Sequence, residues 1–157
     1  MKLRLVVLGK TNKKELQDLI ADYEGRIRHY IPFETVVIPD IKKSRNSSPE
    51  EVRNLEGKAI LDGVKSSDIV FLFDEKGKTY SSRGFAGLLQ KQMNAGHKQL
   101  VLVVGGAYGF SKEVYDRAQG KISLSEMTFS HQMVRLFIVE QVYRACTILK
   151  GEPYHHD

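Results

Sequence analysis

The chain has one cysteine, no tryptophan and four prolines among its 157 residues. A lone thiol, Cys146, closes no internal disulfide and supplies no zinc cluster. A reducing, cytoplasmic compartment is the resulting expectation. Long hydrophobic runs are also missing: runs such as Leu5–Leu8 and Leu100–Val104 fall far short of the roughly 20 residues of a membrane span. The chain opens directly on Leu3-Arg4-Leu5-Val6-Val7-Leu8, without the apolar stretch and small-residue cleavage site of a secretory signal. No repeat, low-complexity tract or linker interrupts it, so a single domain over 1–157 is expected. No His, Cys or acidic cluster has metal-ligand spacing, so no metal and no membrane partner are expected.

Positive charge is in excess. Lys and Arg total 24 against 19 acids, a net charge of +5. That balance hints at an anionic partner such as nucleic acid. Two clusters stand out: Lys2, Arg4, Lys10, Lys13 and Lys14, and then Lys42, Lys43 and Arg45. Both are either solvated surface or phosphate-binding faces.

Short apolar runs alternate with amphipathic segments. Strands are predicted at Leu3–Leu8, Phe33–Ile38, Ile69–Phe73 and Leu100–Val104, with a short fifth at Ile122–Leu124. Asn12 reads as the cap of a helix carrying Leu16, Leu19, Ile20, Tyr23 and Ile27 at helical spacing. Ser48-Pro49-Glu50-Glu51 opens a second helix, with cap, proline and glutamate in order. Asp74-Glu75-Lys76-Gly77 reads as a turn, Ser81 or Ser82 opens a third helix, and Ser111 caps a short one. His131–Lys150 is the longest helical pattern, stopped by Gly151. Alternating strands and helices predict an α/β fold, a mostly parallel sheet with helices on both faces.

Ligands of open α/β sheets bind beyond the carboxyl ends of the strands. Three segments fall there: Phe73–Gly77, Gly105-Gly106-Ala107-Tyr108-Gly109, and Leu124-Ser125-Glu126-Met127-Thr128-Phe129. Glycines permit close backbone approach to a ligand, although this spacing is not the dinucleotide fingerprint. Glu126, 20 residues after Gly106, stands where a ribose-binding acid would, which keeps a nucleotide-binding oxidoreductase open as a reading. The charge keeps open a ribosome-associated RNA-binding protein without catalysis.

These glycine and loop motifs, with His131-Gln132-Met133-Val134-Arg135, Glu140-Gln141-Val142-Tyr143-Arg144-Ala145 and Pro153-Tyr154-His155, resemble the RlmH family of SPOUT methyltransferases. Met1–Gly9, Tyr23-Glu24-Gly25-Arg26 and Glu56-Gly57 resemble it too, so the likeness spans the chain. The resemblance implies a homodimer whose C-terminal part is threaded into a trefoil knot. It implies methylation of N3 of a pseudouridine in 23S rRNA of the assembled ribosome, with S-adenosyl-L-methionine as cofactor. Cofactor contacts are implied for Phe73, Gly105, and Leu124, Ser125, Glu126, Met127, Thr128 and Phe129. Two departures stand out: Ser130 replaces a frequent proline, and His156 replaces a frequent Arg or Lys.

Pseudouridine N3 lies between two carbonyls, so its proton must leave and the developing charge spreads onto oxygen. His155 is expected as the base or substrate-positioning group, with His131 second. Arg135 is expected to stabilise the oxygens, and Tyr154 to stack on or bond to the base.

Overall fold

The computed structural model describes residues 1–42 and 44–157. Its strands are β1 (Lys2–Leu8), β2 (Phe33–Ile38), β3 (Ile69–Thr79), β4 (Gln99–Val104) and β5 (Gly120–Ser123). They form one sheet in the order β2-β1-β4-β3-β5, and every neighbouring pair is parallel. The helices are α1 (Lys14–Ile27), α2 (Pro49–Asp62), α3 (Ser82–Asn94), α4 (Lys112–Arg117) and α5 (Met133–Lys150).

Successive strand residues point to opposite faces, and the two cores divide accordingly. Leu3, Leu5, Val7, Leu100, Leu102 and Val104 pack with Ile27, Leu89, Ile138 and Val142 of α1, α3 and α5. Val6, Val101 and Val103 pack with Ile60 of α2 and Val114 of α4. This two-sided burial explains why β4 is apolar without alternation.

Caps at Ser48, Ser81 and Ser111 accept from Glu51, Gly84 and Val114 amides. Asn12 is not a cap: α1 starts two residues later with no side-chain cap. The Asn12 amide instead donates to Gln132 Oε1 at 2.8 Å, tying this loop to the start of α5. Ser130 supplies what a proline would have supplied by stiffness. Its Oγ accepts from the Met133 amide at 3.1 Å and its carbonyl from Val134 at 3.0 Å, so the hydroxyl anchors α5.

The predicted turn at Asp74–Gly77 is an excursion within β3. Phe73 and Lys78 both pair with Ile122, and the residues between leave the ladder. Gly77 is needed there, because a Cβ would stand 2.6 Å from the Ile122 backbone. The excursion pushes Asp74, Glu75 and Lys76 outward at the carboxyl end of the sheet.

The first basic cluster divides. Lys2 and Arg4 pair with Glu34 at the beginning of β1, and Lys14 pairs with Asp18. Lys10 and Lys13 lie beyond the other end of the strand, exposed, as are Lys42 and Arg45 beyond β2. None of these four is ion-paired with another described residue. Lys43 of the second cluster lies outside the described residues.

Candidate functional site

A cavity of about 450 Å³ opens at the carboxyl ends of β3 and β4. One wall is Phe73, Asp74, Glu75 and Lys76, the second Gly105–Phe110, and the third Ser123–Ser125 with Met127–Phe129, His131 and Val134. Eight residues singled out from the sequence therefore meet: Phe73, Gly105, Leu124, Ser125, Met127, Thr128, Phe129 and His131. Glu126 is exposed and does not line the cavity. That removes the ribose-binding acid on which the oxidoreductase reading rested.

The glycine loop is tight for reasons inside the protein. A Cβ on Gly105 would lie 2.9 Å from the Phe110 ring, and one on Gly106 would lie 2.6 Å from the buried Glu56 carboxylate. Behind the loop, Phe110 packs edge-on against Tyr115 at 5.7 Å, and the Tyr115 hydroxyl donates to Asp74. Burial, reinforced by that bond, pushes the Tyr115 hydroxyl up to about 12, so it remains a donor at neutral pH. Tyr115 thus braces the β3 excursion. Its position on a short helix gave no sequence signal. The third wall holds itself: Ser123 Oγ donates to the Ser125 carbonyl at 3.0 Å, and Ser125 Oγ accepts from the Met127 amide at 3.0 Å.

Arg135 does not reach this cavity. It is buried, and it donates to the carbonyls of Leu8 at 2.6 Å and Gly9 at 2.9 Å and to Thr11 Oγ1 at 3.1 Å. A guanidinium so committed clamps the end of β1 to α5. Apolar neighbours along the helix signalled its burial but not its target.

The tail packs against α5 and α3 of the same chain. The Tyr154 hydroxyl donates to Glu140 Oε1 at 2.9 Å, its ring meets Tyr143 edge-on at 4.7 Å, and the Arg144 guanidinium lies over the ring at 4.7 Å. Burial raises the Tyr154 hydroxyl above its ordinary range, with Tyr23 and Glu140 adding to it. His155 lies between Arg144 and Asp157, and Asp157 is held by Arg83 of α3. No tail residue lines the cavity. Val134 at the cavity and Arg144 at the tail are ten residues apart on α5, about 15 Å of helix.

No group of three or more His, Cys, Asp or Glu positioned to hold a metal occurs among the described residues. No helix among them is long and apolar enough to cross a membrane.

A family model described as "Predicted SPOUT methyltransferase" matches residues 1–155. A protein of Christiangramia forsetii named ribosomal RNA large subunit methyltransferase H is 58% identical over 156 residues, 99% of each chain. Proteins of the same name from Flavobacterium johnsoniae and Parabacteroides distasonis are 54% and 52% identical over 99% or more of each chain. A parallel α/β sheet with a glycine-walled cavity at its carboxyl end, matched over its whole length in this way, belongs to the RlmH family of SPOUT methyltransferases.

Proposed function

We propose that the chain methylates N3 of a pseudouridine in 23S rRNA of the assembled ribosome, with S-adenosyl-L-methionine as donor and as a homodimer. The observation that carries this reading is the glycine-walled cavity itself. Its volume and its apolar lining of Val104, Ile122, Leu124, Phe129 and Val134 suit a flat adenine and the aliphatic chain that carries a sulfonium. Backbone groups of Gly105–Gly109 and Leu124–Phe129 offer the polar contacts, and Asp74 and Glu75 offer negative charge to a cationic ligand. When bound, the donor supplies an electrophilic methyl group on a sulfonium.

The chain's own residues do the rest. His155 takes the proton from N3, and Tyr154 positions the base. Arg135 is committed elsewhere, so Arg144, whose guanidinium adjoins both tail side chains, supplies positive charge toward the pyrimidine oxygens. Holding both reactants in register supplies the larger share of the rate, and a positioned base adds about 10²–10⁴-fold. Lys10, Lys13, Lys42 and Arg45 lie at the sheet end that carries the cavity and suit the rRNA phosphates.

Cavity and tail do not meet within one protomer, which favours a site completed by a second copy. An exposed apolar cluster beside the cavity suits the contact between copies. Phe129, Met133 and Phe137 are 36–39% exposed and Met127 is 77% exposed; the Phe129 and Phe137 rings lie 5.0 Å apart.

The decisive experiment incubates ribosomes lacking the modification with the protein and methyl-labelled S-adenosylmethionine, then maps the label by mass spectrometry. One methyl on N3 of a single 23S rRNA pseudouridine is expected. Label elsewhere, or none, overturns the reading.

A further inference from the structure

We propose that Asp157, clamped by Arg83, is a positioning residue that fixes His155 in its Nε2–H tautomer and leaves Nδ1 as the nitrogen that takes the substrate proton. This rests on the reading of His155 as the base.

The two ring nitrogens of His155 have different partners. Asp157 Oδ1 lies 2.8 Å from Nε2, and Arg144 lies 3.4 Å from Nδ1. A guanidinium has only donors and a carboxylate only acceptors. Nε2 therefore carries the hydrogen, and Nδ1 presents its lone pair toward Arg144. The contact to Nδ1 is long and weak, so an incoming N3–H can replace it. In that step the N3–H bond breaks, its electron pair stays on nitrogen, and the proton passes to Nδ1. The resulting imidazolium is stabilised by Asp157 through Nε2–H, the logic of a base oriented by a carboxylate.

Asp157 is itself fixed by a fork. Arg83 Nε lies 3.0 and 2.8 Å from its two oxygens, and Arg83 NH2 lies 2.5 Å from Oδ2. The Arg83 bonds, with His155 adding to them, hold the Asp157 carboxyl below its usual range, so it is ionised wherever the imidazole is a base. Both partners of the fork are well exposed, 61% and 63%, and exposed pairs add little to stability. No core depends on this pair; Tyr154 already holds the tail on Glu140 and Tyr143, and what the fork adds is the placement of the last residue against the imidazole. Around His155 stand Arg144 and Glu140 from α5, Arg83 from α3, and Tyr154 and Asp157 from the tail, with the Tyr23 hydroxyl of α1 3.3 Å from that of Tyr154.

The test combines ring ¹⁵N spectra of the full-length, histidine-labelled protein with single-turnover methylation of unmodified ribosomes. The wild-type spectrum should show His155 as the Nε2–H tautomer. Asp157→Asn should mix the tautomers and lower the single-turnover rate about tenfold, a part of the roughly 10²–10⁴-fold that a positioned base supplies. Cofactor affinity should not change, and Asp157→Glu should restore most of the rate. Arg83→Gln should give an intermediate loss with the same spectral signature. A wild-type Nδ1–H tautomer overturns the proposal. So does an Asp157→Asn protein with unchanged spectrum and rate while His155→Gln is inactive. An active His155→Gln protein instead removes His155 as the base, and the tautomer spectrum still reports whether Asp157 orients the ring.

Discussion

The Phe110 ring occupies the space beside Gly105 where a β-carbon would stand, 2.9 Å from its Cζ and 3.0 Å from its Cε1. Read from the sequence, glycine at 105 is a concession to the ligand alone, and a larger residue should block binding and spare the fold. The ring makes it a packing requirement as well. Phe110 is buried in the smaller core and leads through Tyr115 to Asp74 on the opposite cavity wall. Gly105→Ala must displace that ring, an overpacking change costing about 1–3 kcal/mol. At about 2–4 °C per kcal/mol, a lowered melting temperature should accompany at least a tenfold loss of S-adenosylmethionine affinity by calorimetry. Unchanged affinity would move the donor site elsewhere.

Arg135 holds three acceptors at the end of β1, so its removal should be a folding defect first. Arg135→Met keeps the length of the chain but leaves the Leu8 and Gly9 carbonyls without their charged donor. Bonds to charged groups contribute about 1.5–3 kcal/mol, and the variant should lose about 2–4 kcal/mol in urea denaturation. Burial already pushes the guanidinium down from its ordinary value, against the pull of Asp40. Wild-type stability combined with a collapsed rate would return Arg135 to the reaction.

The strands and helices were legible because periodicity and caps are local. Leu100–Val104 is apolar throughout, as only a doubly covered strand can be, and Ser48, Ser81 and Ser111 cap as their spacing indicates. The glycine and loop segments were legible as walls of one cavity because a parallel sheet sends all its carboxyl ends one way. What failed was long-range partnership. Nothing near Asn12 announces that Gln132 will take its amide. Nothing around Arg135 names Leu8 and Gly9 as its acceptors. Asp74–Gly77 has the composition of a turn, and only its pairing across Ile122 makes it an excursion within β3. The clustered lysines separate because a seven-residue strand carries its two ends about 23 Å apart.

Buried Cys146 and half-buried Tyr115 help set an alkaline limit on stability. Burial raises Cys146 from 9.0 to about 11, and burial with the Asp74 bond raises Tyr115 from 10.0 to about 12. Each anion is disfavoured in the folded state, so the unfolded chain ionises first. The stabilisation is fully present below about pH 9 and is lost as pH rises through 9 to 12. Urea midpoints should be flat from pH 7 to 9 and fall steadily above, with a shallower fall for Tyr115→Phe between 10 and 12. Cys146 should react with a thiol reagent at pH 8 much more slowly in the native protein than in urea. Rapid native labelling, or midpoints flat to pH 11, would contradict the burial described.

The proposed division of the site between cavity and tail is open to complementation. Thr128 is exposed and lines the cavity, so Thr128→Arg should fill the cavity without disturbing either core. His155→Ala removes the imidazole and leaves Tyr154 to hold the tail on Glu140 and Tyr143. Each variant alone should be folded, dimeric and inactive. A refolded equal mixture forms heterodimers as half of a symmetric population. If each tail serves the partner's cavity, one of the two sites in every heterodimer combines an intact cavity with an intact tail. The mixture should then recover roughly a quarter of the wild-type activity per protomer. If cavity and tail of one protomer work together, every site in the mixture carries one defect and nothing returns. Zero recovery, with heterodimers demonstrated by native mass spectrometry, would exclude the shared site. Monomers from Phe137→Asp that still methylate ribosomes at the wild-type rate would show that the second copy contributes nothing to it.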